Sequence, residues 1–334
     1  MDYITLGKTG LKISRLGFGG IPIQKIDAAG TRALMRQLQA AGVNYIDTAR
    51  GYTVSESYLG QALEGIRGDF VLATKSMARD AEGMAKDIAT SLSNLRTDYI
   101  DLYQVHNPSV AQLEQVVAPG GALEALLEAK QAGKIGHIGL TAHSLEVFKM
   151  GLEMDWVETI MFPYNIVETQ GEKLIHACAQ KNIGFIAMKP LAGGALEDAD
   201  LAIRFIAANP DVTVVIPGMA EEKEIRQNIE ACRVTELTGA DWERIQAIRS
   251  TLGTEFCRRC NYCQPCAQGI NISGVFLFEG YLTRYGLEEW ARGRYNAMSK
   301  FASDCIGCGA CENRCPYNLP IRKMLQRAAD KFGK

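Results

Sequence analysis

No stretch of the chain approaches the roughly 18 consecutive apolar residues that a membrane-spanning helix requires. The N-terminus, MDYITLGKTGLKIS, lacks the basic segment and apolar core of an export signal. The expectation is a soluble, cytoplasmic protein. An excess of charge of either sign is lacking as well: the formal net charge is only −2 over 334 residues, and there is no long basic run. Bulk electrostatics therefore give no grounds for nucleic acid or an anionic membrane as a partner. Cysteine is nearly missing from the first 256 residues, where only Cys178 and Cys232 occur, whereas the other eight of the ten lie between Cys257 and Cys315. Without an export route a disulfide framework has no basis, and clustered cysteines in a reducing compartment point to metal. Low-complexity segments are absent, and 47% hydrophobic with 22% charged residues is ordinary globular composition.

Eight short apolar runs follow one another: 15–19, 45–47, 70–74, 99–105, 134–140, 159–162, 184–188 and 212–217. Their starts are roughly 25 to 35 residues apart, about one βα unit. Near-continuous runs such as GFIAM and VTVVIP fit strands buried on both faces, as in a parallel sheet. The segments between them have helical periodicity. In AAGTRALMRQLQAAG, Ala33, Leu34, Leu38 and Ala41 recur at helical spacing and Gly42 supplies a stop; in SESYLGQALEG, Ser55 can cap while Tyr58, Leu59 and Leu63 face inward. Eight units favour an α/β fold closed as a (β/α)₈ TIM barrel of about 250 residues; an open doubly wound sheet is the alternative. TLGKTGLKIS ahead of the first run predicts a β-hairpin around Lys8-Thr9-Gly10. Composition changes abruptly at 253–257, which predicts a barrel over 1–252 and a small, mainly helical domain over 253–334.

Catalytic groups of such a barrel sit at the C-terminal ends of strands. Those positions carry Asp47 (YIDTARGY, with Tyr52 in the following loop), Lys75 (VLATKS) and His106 (LYQVHNP). An ammonium beside a phenol lowers the phenol's pKa from near 10, a carboxylate keeps that ammonium charged, and an imidazole can donate to a carbonyl oxygen. Together they would polarise and protonate a carbonyl, and because no side chain can deliver hydride, a nicotinamide is implied. Taken singly, each is more commonly a structural ion pair or a satisfied core histidine. Cys178 and Cys232 read as small core residues, and His137, His143 and His176 as structural, although His143 lies close enough behind the fifth strand to approach a cofactor. Arg50 beside the catalytic loop reads either as a receptor for an anionic carbonyl compound or as an exposed salt bridge.

Over residues 1–250 the motifs LGFGG, YIDTARGY, ATKS, VHNP, IGLTAHS, MKPLAGG and VIPG resemble those of the aldo-keto reductases. That resemblance implies Tyr52 as general acid, Lys75 and Asp47 as its tuning pair, and His106 orienting an aldehyde or ketone. It also implies NAD(P)H extended across the barrel mouth without a Rossmann glycine fingerprint. By the same likeness Gly20 lies against the cofactor and Asp47 approaches the ribose. Thr141 stands where serine usually meets the carboxamide, and Met188 where an aromatic ring usually stacks. The usual carboxamide asparagine and glutamine align with Ala142 and Met161, so the grip there is looser. Lys189, Leu191 and Gly193 would line the pyrophosphate, and Gly218 and Asn228 the adenosine end. Where many NADPH-dependent members carry cations, this chain reads Gly218-Met219-Ala220-Glu221-Glu222 with Lys223, which disfavours a phosphate dianion and favours NADH.

The tail carries Cys257, Cys260, Cys263 and Cys266 as C-x₂-C-x₂-C-x₂-C, then Cys305, Cys308, Cys311 and Cys315 as C-x₂-C-x₂-C-x₃-C-P. Three thiolates at three-residue spacing wrap one cubane, and the fourth, next to proline, ligates the neighbouring one. Eight thiolates match two [4Fe–4S] clusters, although the first run is one residue short and its Pro265 precedes the last cysteine. Zinc in S₄ sites is the competing reading. The tail resembles the ferredoxin-like extension of a subgroup of bacterial and archaeal aldo-keto reductases. Phe276, Phe278, Tyr281, Trp290 and Tyr295 are expected to pack the small domain, and RKMLQRAADKF to close it as an amphipathic helix.

Three functions fit. One is a self-contained carbonyl reductase with accessory clusters. The second is an electron-transfer enzyme whose clusters serve ferredoxin or another redox protein. The third is a non-catalytic barrel sensing nicotinamide. Nicotinamide moves electron pairs, clusters move single electrons, and no flavin site is evident to bridge them, so the first is preferred.

Overall fold

The computed structural model describes every residue except Thr235, Gly253, Thr254, Cys260 and Pro316. Its contacts divide the chain into two compact units, one of Met1–Asn165, Thr169–Pro190 and Asp198–Leu237, the other of Ile166–Glu168, Leu191–Glu197 and Thr238–Lys334. Of the composition change at 253–257, Gly253 and Thr254 fall outside the described residues.

In the first unit, β1 (Tyr3–Thr5) and β2 (Lys12–Ser14) pair antiparallel as the expected hairpin. Eight parallel strands follow, each hydrogen-bonded to the next in chain order: β3 (Phe18–Gly19), β4 (Tyr45–Asp47), β5 (Val71–Ser76), β6 (Ile100–His106), β7 (Ile135–Thr141), β8 (Thr159–Pro163), β9 (Gly184–Met188) and β10 (Val214–Val215). The sheet closes on itself. Leu16 bridges Val215 in parallel, and the N–H groups of Gly17 and Gly19 donate to Val215 O (2.8 Å) and Pro217 O (2.9 Å). An open sheet would leave both edges unpaired, so the closed barrel is the fold.

Between the strands run α1 (Ala28–Ala40), α2 (Ser55–Ala62), α3 (Ala81–Asn94), α4 (Val110–Val117), α5 (Ala122–Gln131), α6 (Leu145–Leu152), α7 (Glu172–Gln180), α8 (Ala199–Ala207) and, after β10, α9 (Glu222–Cys232). Short polar side chains start several of them: Asp27 accepts from Gly30 N in α1 (2.7 Å) and Asp80 from Gly83 N in α3 (2.8 Å). The expected cap Ser55 is instead the first residue of α2; its hydroxyl meets Thr48 Oγ1 (2.8 Å) and donates to Gly20 O (3.2 Å), tying three barrel-mouth segments together. Leu6, Ile13, Tyr45, Leu102, Met161 and Ile186 share one buried cluster inside the barrel. At its foot Gly184 has no Cβ because Leu6 Cδ1 would lie 2.6 Å from it, which is how the hairpin seats.

In the second unit, α10 (Gly239–Leu252), α11 (Ile272–Thr283), α12 (Glu288–Asn296), α13 (Ala310–Asn313) and α14 (Ile321–Phe332) surround a separate core. As expected, aromatic side chains build it: Tyr295 stacks on Phe332 (3.9 Å between centroids), and Trp290 meets Phe278 and Tyr281 edge-on. Helix α14 buries Met324, Leu325, Ala328 and Phe332 on one face, the closing amphipathic helix of the sequence. Among the described residues no helix is long and apolar enough to cross a membrane.

Candidate active site and metal centre

Strand periodicity places three polar side chains of β4, β5 and β6 in the barrel at one level. Asp47 is the last residue of β4, and Lys75 of β5 pairs in register with Gln104 of β6. All three are buried. Lys75 Nζ donates to Asp47 Oδ1 and to Thr48 O (2.7 Å), and Gln104 Nε2 donates to Asp47 Oδ2 (3.0 Å). Burial pushes the Asp47 carboxyl up and the Lys75 ammonium down, and each charge opposes the other's shift. The pair thus satisfies itself in a medium hostile to either charge alone.

Tyr52 stands in the loop between β4 and α2. Its N–H donates to Ala49 O (3.0 Å) and its carbonyl accepts from Ser55 N (2.8 Å). Lys75 Nζ lies 4.8 Å from the Tyr52 ring centroid, and the rings of Tyr52 and His106 meet edge-on with centroids 6.3 Å apart. Asp47, Tyr52, Lys75 and His106 are therefore brought together. Thr53, next to Tyr52, holds φ at +41°, a strained value for a β-branched residue that only a well-determined surrounding maintains.

That surrounding includes residues missed in the sequence. Glu56 of α2 is buried and accepts from Thr74 Oγ1 (2.8 Å), Ser91 Oγ (2.8 Å) and Arg50 (2.6 Å). Arg50 also lies 3.5 Å from Asp87. Of the two expectations for Arg50 the salt bridge is the one observed, but it is partly buried, behind the loop that carries Tyr52. Gln104 carried a faint signal, a polar residue inside the apolar run LYQV; Glu56 carried none.

The expected cofactor positions are distributed as follows. Gly20 abuts the end of β4, where a Cβ would lie 2.9 Å from Asp47 O. Thr141 ends β7 fully buried, its Oγ1 accepting from Asn107 N (2.9 Å). Met161 sits in the barrel interior and Met188, half-buried, packs against the same cluster. Lys189 adopts φ +56° and its carbonyl accepts from Asn165 Nδ2 (2.9 Å). Gly218 packs on Pro22, and Asn228 is buried in α9. Leu191 and Gly193 belong to the second unit, where a Cβ on Gly193 would meet Tyr285 at 3.1 Å. The N-terminus of α9 caps itself: Glu224 Oε2 accepts from Ala220 N (2.6 Å) and Glu221 N (3.2 Å).

In the second unit Cys266, Cys305, Cys308 and Cys311 line one cavity with Ile272 and Leu325. A cluster ligated by three thiolates of one run and the last of the other requires this set, so the residues present fit the group. Cys257, Cys263 and Cys315 pack against the same core, and Cys260 lies outside the described residues. Among the described residues no group of three or more His, Cys, Asp or Glu is arranged to hold a single ion. The two runs share a backbone pattern: the second and fourth residues after each first cysteine are left-handed, Gly307 (+70°) and Gly309 (+74°) in one, Arg259 (+56°) and Asn261 (+67°) in the other. Cys178 and Cys232 are buried, their thiols pushed up to about 12, in keeping with core roles. His137 bonds Glu158 (2.7 Å) and His176 bonds Asp211 (2.8 Å).

A (β/α)₈ barrel with acid, amine, phenol and imidazole at its mouth defines a nicotinamide-dependent oxidoreductase. The model of the aldo/keto reductase family matches residues 15–201 and 197–250, and that of a 4Fe-4S dicluster domain matches 256–320. The chain belongs to the aldo/keto reductase family. It is 28% identical to the L-galactose dehydrogenase of Arabidopsis thaliana over 306 residues, covering 75% of this chain and 94% of the relative. The NADH-specific methylglyoxal reductase of Escherichia coli is 30% identical over 227 residues, 59% of this chain and 69% of the relative. Among solved structures, an aldo-keto reductase from Bacillus halodurans in its holo form superposes with a TM-score of 0.66 at 26% identity, over 74% of this chain and 96% of that one.

Proposed function

We propose that the chain reduces an aldehyde or ketone to the alcohol at the expense of NAD(P)H, with Tyr52 as proton donor. Bound NAD(P)H supplies the hydride that adds to the carbonyl carbon. The Tyr52 hydroxyl gives its proton to the carbonyl oxygen, and the Lys75 ammonium stabilises the phenolate left behind. Asp47 keeps Lys75 charged, and Gln104 holds the far oxygen of Asp47 so that the carboxylate cannot turn away. His106 donates a hydrogen bond that orients the substrate oxygen. The observation that carries this proposal is Lys75 Nζ at 4.8 Å from the Tyr52 ring, with its charge balanced by a buried carboxylate.

Thr141 suits the nicotinamide carboxamide, since its hydroxyl accepts from Asn107 and donates to nothing among the described residues. Gly20, Met161, Met188, Lys189, Leu191, Gly193, Gly218 and Asn228 complete the proposed cofactor set. Glu224 occupies the N–H groups at the start of α9 that a 2′-phosphate would need, which favours NADH. An NADH-specific relative agrees with that preference. The tail, 253–334, is proposed to hold two [4Fe–4S] clusters. Cys305, Cys308, Cys311 and Cys266 bind one, and Cys257, Cys260, Cys263 and Cys315 the other. The shared left-handed pattern of the two runs supports a second cluster over zinc. Such clusters suit a reducing, cytoplasmic setting. Electron exchange with a ferredoxin or other redox protein is a second reading, favoured by Ile306, 64% exposed, beside the exposed Cys308.

The test is anaerobic purification with iron and sulfide counts, then NADH and NADPH oxidation followed against a carbonyl panel. Oxidation dependent on a carbonyl supports the assignment; bleaching of cluster absorbance by NADH without carbonyl turnover supports the second reading instead.

A further inference from the structure

Two arginines lie in the loops that follow β4 and β5, and of these Arg50 is neutralised by Glu56 and Asp87. Arg79 is not. It follows β5 by three residues, in the loop leading to α3, and is half-buried. Among the described residues its guanidinium donates to two backbone carbonyls only, His106 O (2.7 Å) and Ala78 O (3.2 Å), and its buried Nε meets no partner. Among the described residues no carboxylate forms an ion pair with it. The adjacent Asp80 is turned away, capping α3 through Gly83 N. Burial alone lowers the Arg79 pKa, to about 10, with no anion opposing the shift. A half-buried guanidinium with unspent donors is costly to keep, and proteins hold buried charge chiefly where a counter-charge arrives. This one is tethered to the backbone of His106, the residue proposed to orient the substrate oxygen.

We infer that Arg79 is the receptor for an anionic oxygen group on the substrate, so that the carbonyl compound reduced here carries a carboxylate a few bonds from its carbonyl. This rests on the carbonyl reductase proposal and narrows its substrate class. The planar fork of arginine matches a carboxylate in two parallel hydrogen bonds, and the half-buried setting strengthens them. His106 and Arg79 then grip opposite ends of one small molecule from adjoining backbone.

The experiment compares 4-carboxybenzaldehyde with its methyl ester, and succinic semialdehyde with its methyl ester, by kcat/KM on the cluster-loaded protein. The expected result is a preference for the acid in at least one pair. Arg79→Met should cut the acid-to-ester ratio by tenfold or more, and Arg79→Lys should restore part of it. On the unaltered protein benzoate should inhibit at concentrations at least tenfold below benzamide, which keeps the test decisive if the variants fold poorly. Equal rates for acids and esters with equal inhibition by benzoate and benzamide would overturn the inference while leaving the carbonyl reductase proposal standing. Failure to reduce any of the four compounds or a wider neutral panel would remove both.

Discussion

Lys75 Nζ sits 4.8 Å above the centre of the Tyr52 ring while bonded to Asp47. A buried ammonium in that position stabilises a phenolate more than a phenol, and the proposed role of Tyr52 as proton donor rests on this difference.

Lys75→Met should therefore lower kcat/KM for carbonyl reduction by about 10²- to 10⁴-fold, the range for loss of acid-base assistance. It also strands Asp47 without its partner, at a cost of about 3–5 kcal/mol. Thermal melting monitored alongside turnover separates the two effects, because the rate loss should persist in the folded fraction.

Arg50→Met should act on turnover at a distance. The Arg50–Glu56 pair backs the loop in which Thr53 is held at positive φ, so its loss frees Tyr52 to move. The expected signature is a fall in kcat with little change in nicotinamide binding, measured by fluorescence titration, and partial rescue by Arg50→Lys.

Much of the barrel was legible in the sequence, and the reasons are local. Tyr45–Asp47 and Gly184–Met188 are strands with the predicted bounds because a strand buried on both faces needs an apolar run and has one. Lys75 and His106 stood out as candidates because a strand end is the natural place for chemistry in this fold, and the structure brings both beside Tyr52. Glu56 and Arg79 stayed hidden for the opposite reason. Their roles depend on Thr74, Ser91 and His106, residues 18 to 35 positions away, whose approach is created only when β5, β6 and the helices close around them. The same holds for Arg258 and Arg259, which bond Val167 O and Glu168 across 91 residues inside the second unit. The cysteine runs were plain from spacing alone, but the grouping of Cys266 with Cys305, Cys308 and Cys311 required the cavity they line.

Acid stability offers an independent check on the structure. Burial would raise the Glu158 carboxyl, but hydrogen bonds from His137, Lys130 and Ile138 N–H outweigh it and hold the group at about 2. A depressed folded-state pKa gives stability that is complete above the unfolded value near 4.3 and fades as pH falls towards 2. Glu158→Gln should cost about 2 kcal/mol at pH 7, allowing for partial solvation, and almost nothing near pH 2 in denaturant titrations.

Cofactor choice should respond to the start of α9. Replacing Glu221 by lysine and Glu224 by alanine removes the side-chain acceptor of the Ala220 and residue-221 N–H groups and adds a cation. The ratio of kcat/KM for NADPH over NADH should rise roughly tenfold, the worth of one charge-assisted hydrogen bond. An unchanged ratio would place the 2′-hydroxyl elsewhere.

The most direct measurement is carbonyl reduction by Tyr52→Phe, a change that removes one oxygen and leaves the ring under Lys75 in place. The expected outcome is nicotinamide affinity within about twofold of the parent and a rate lower by at least about 10². Parental rates of carbonyl reduction in that variant would contradict the assignment of the proton to Tyr52.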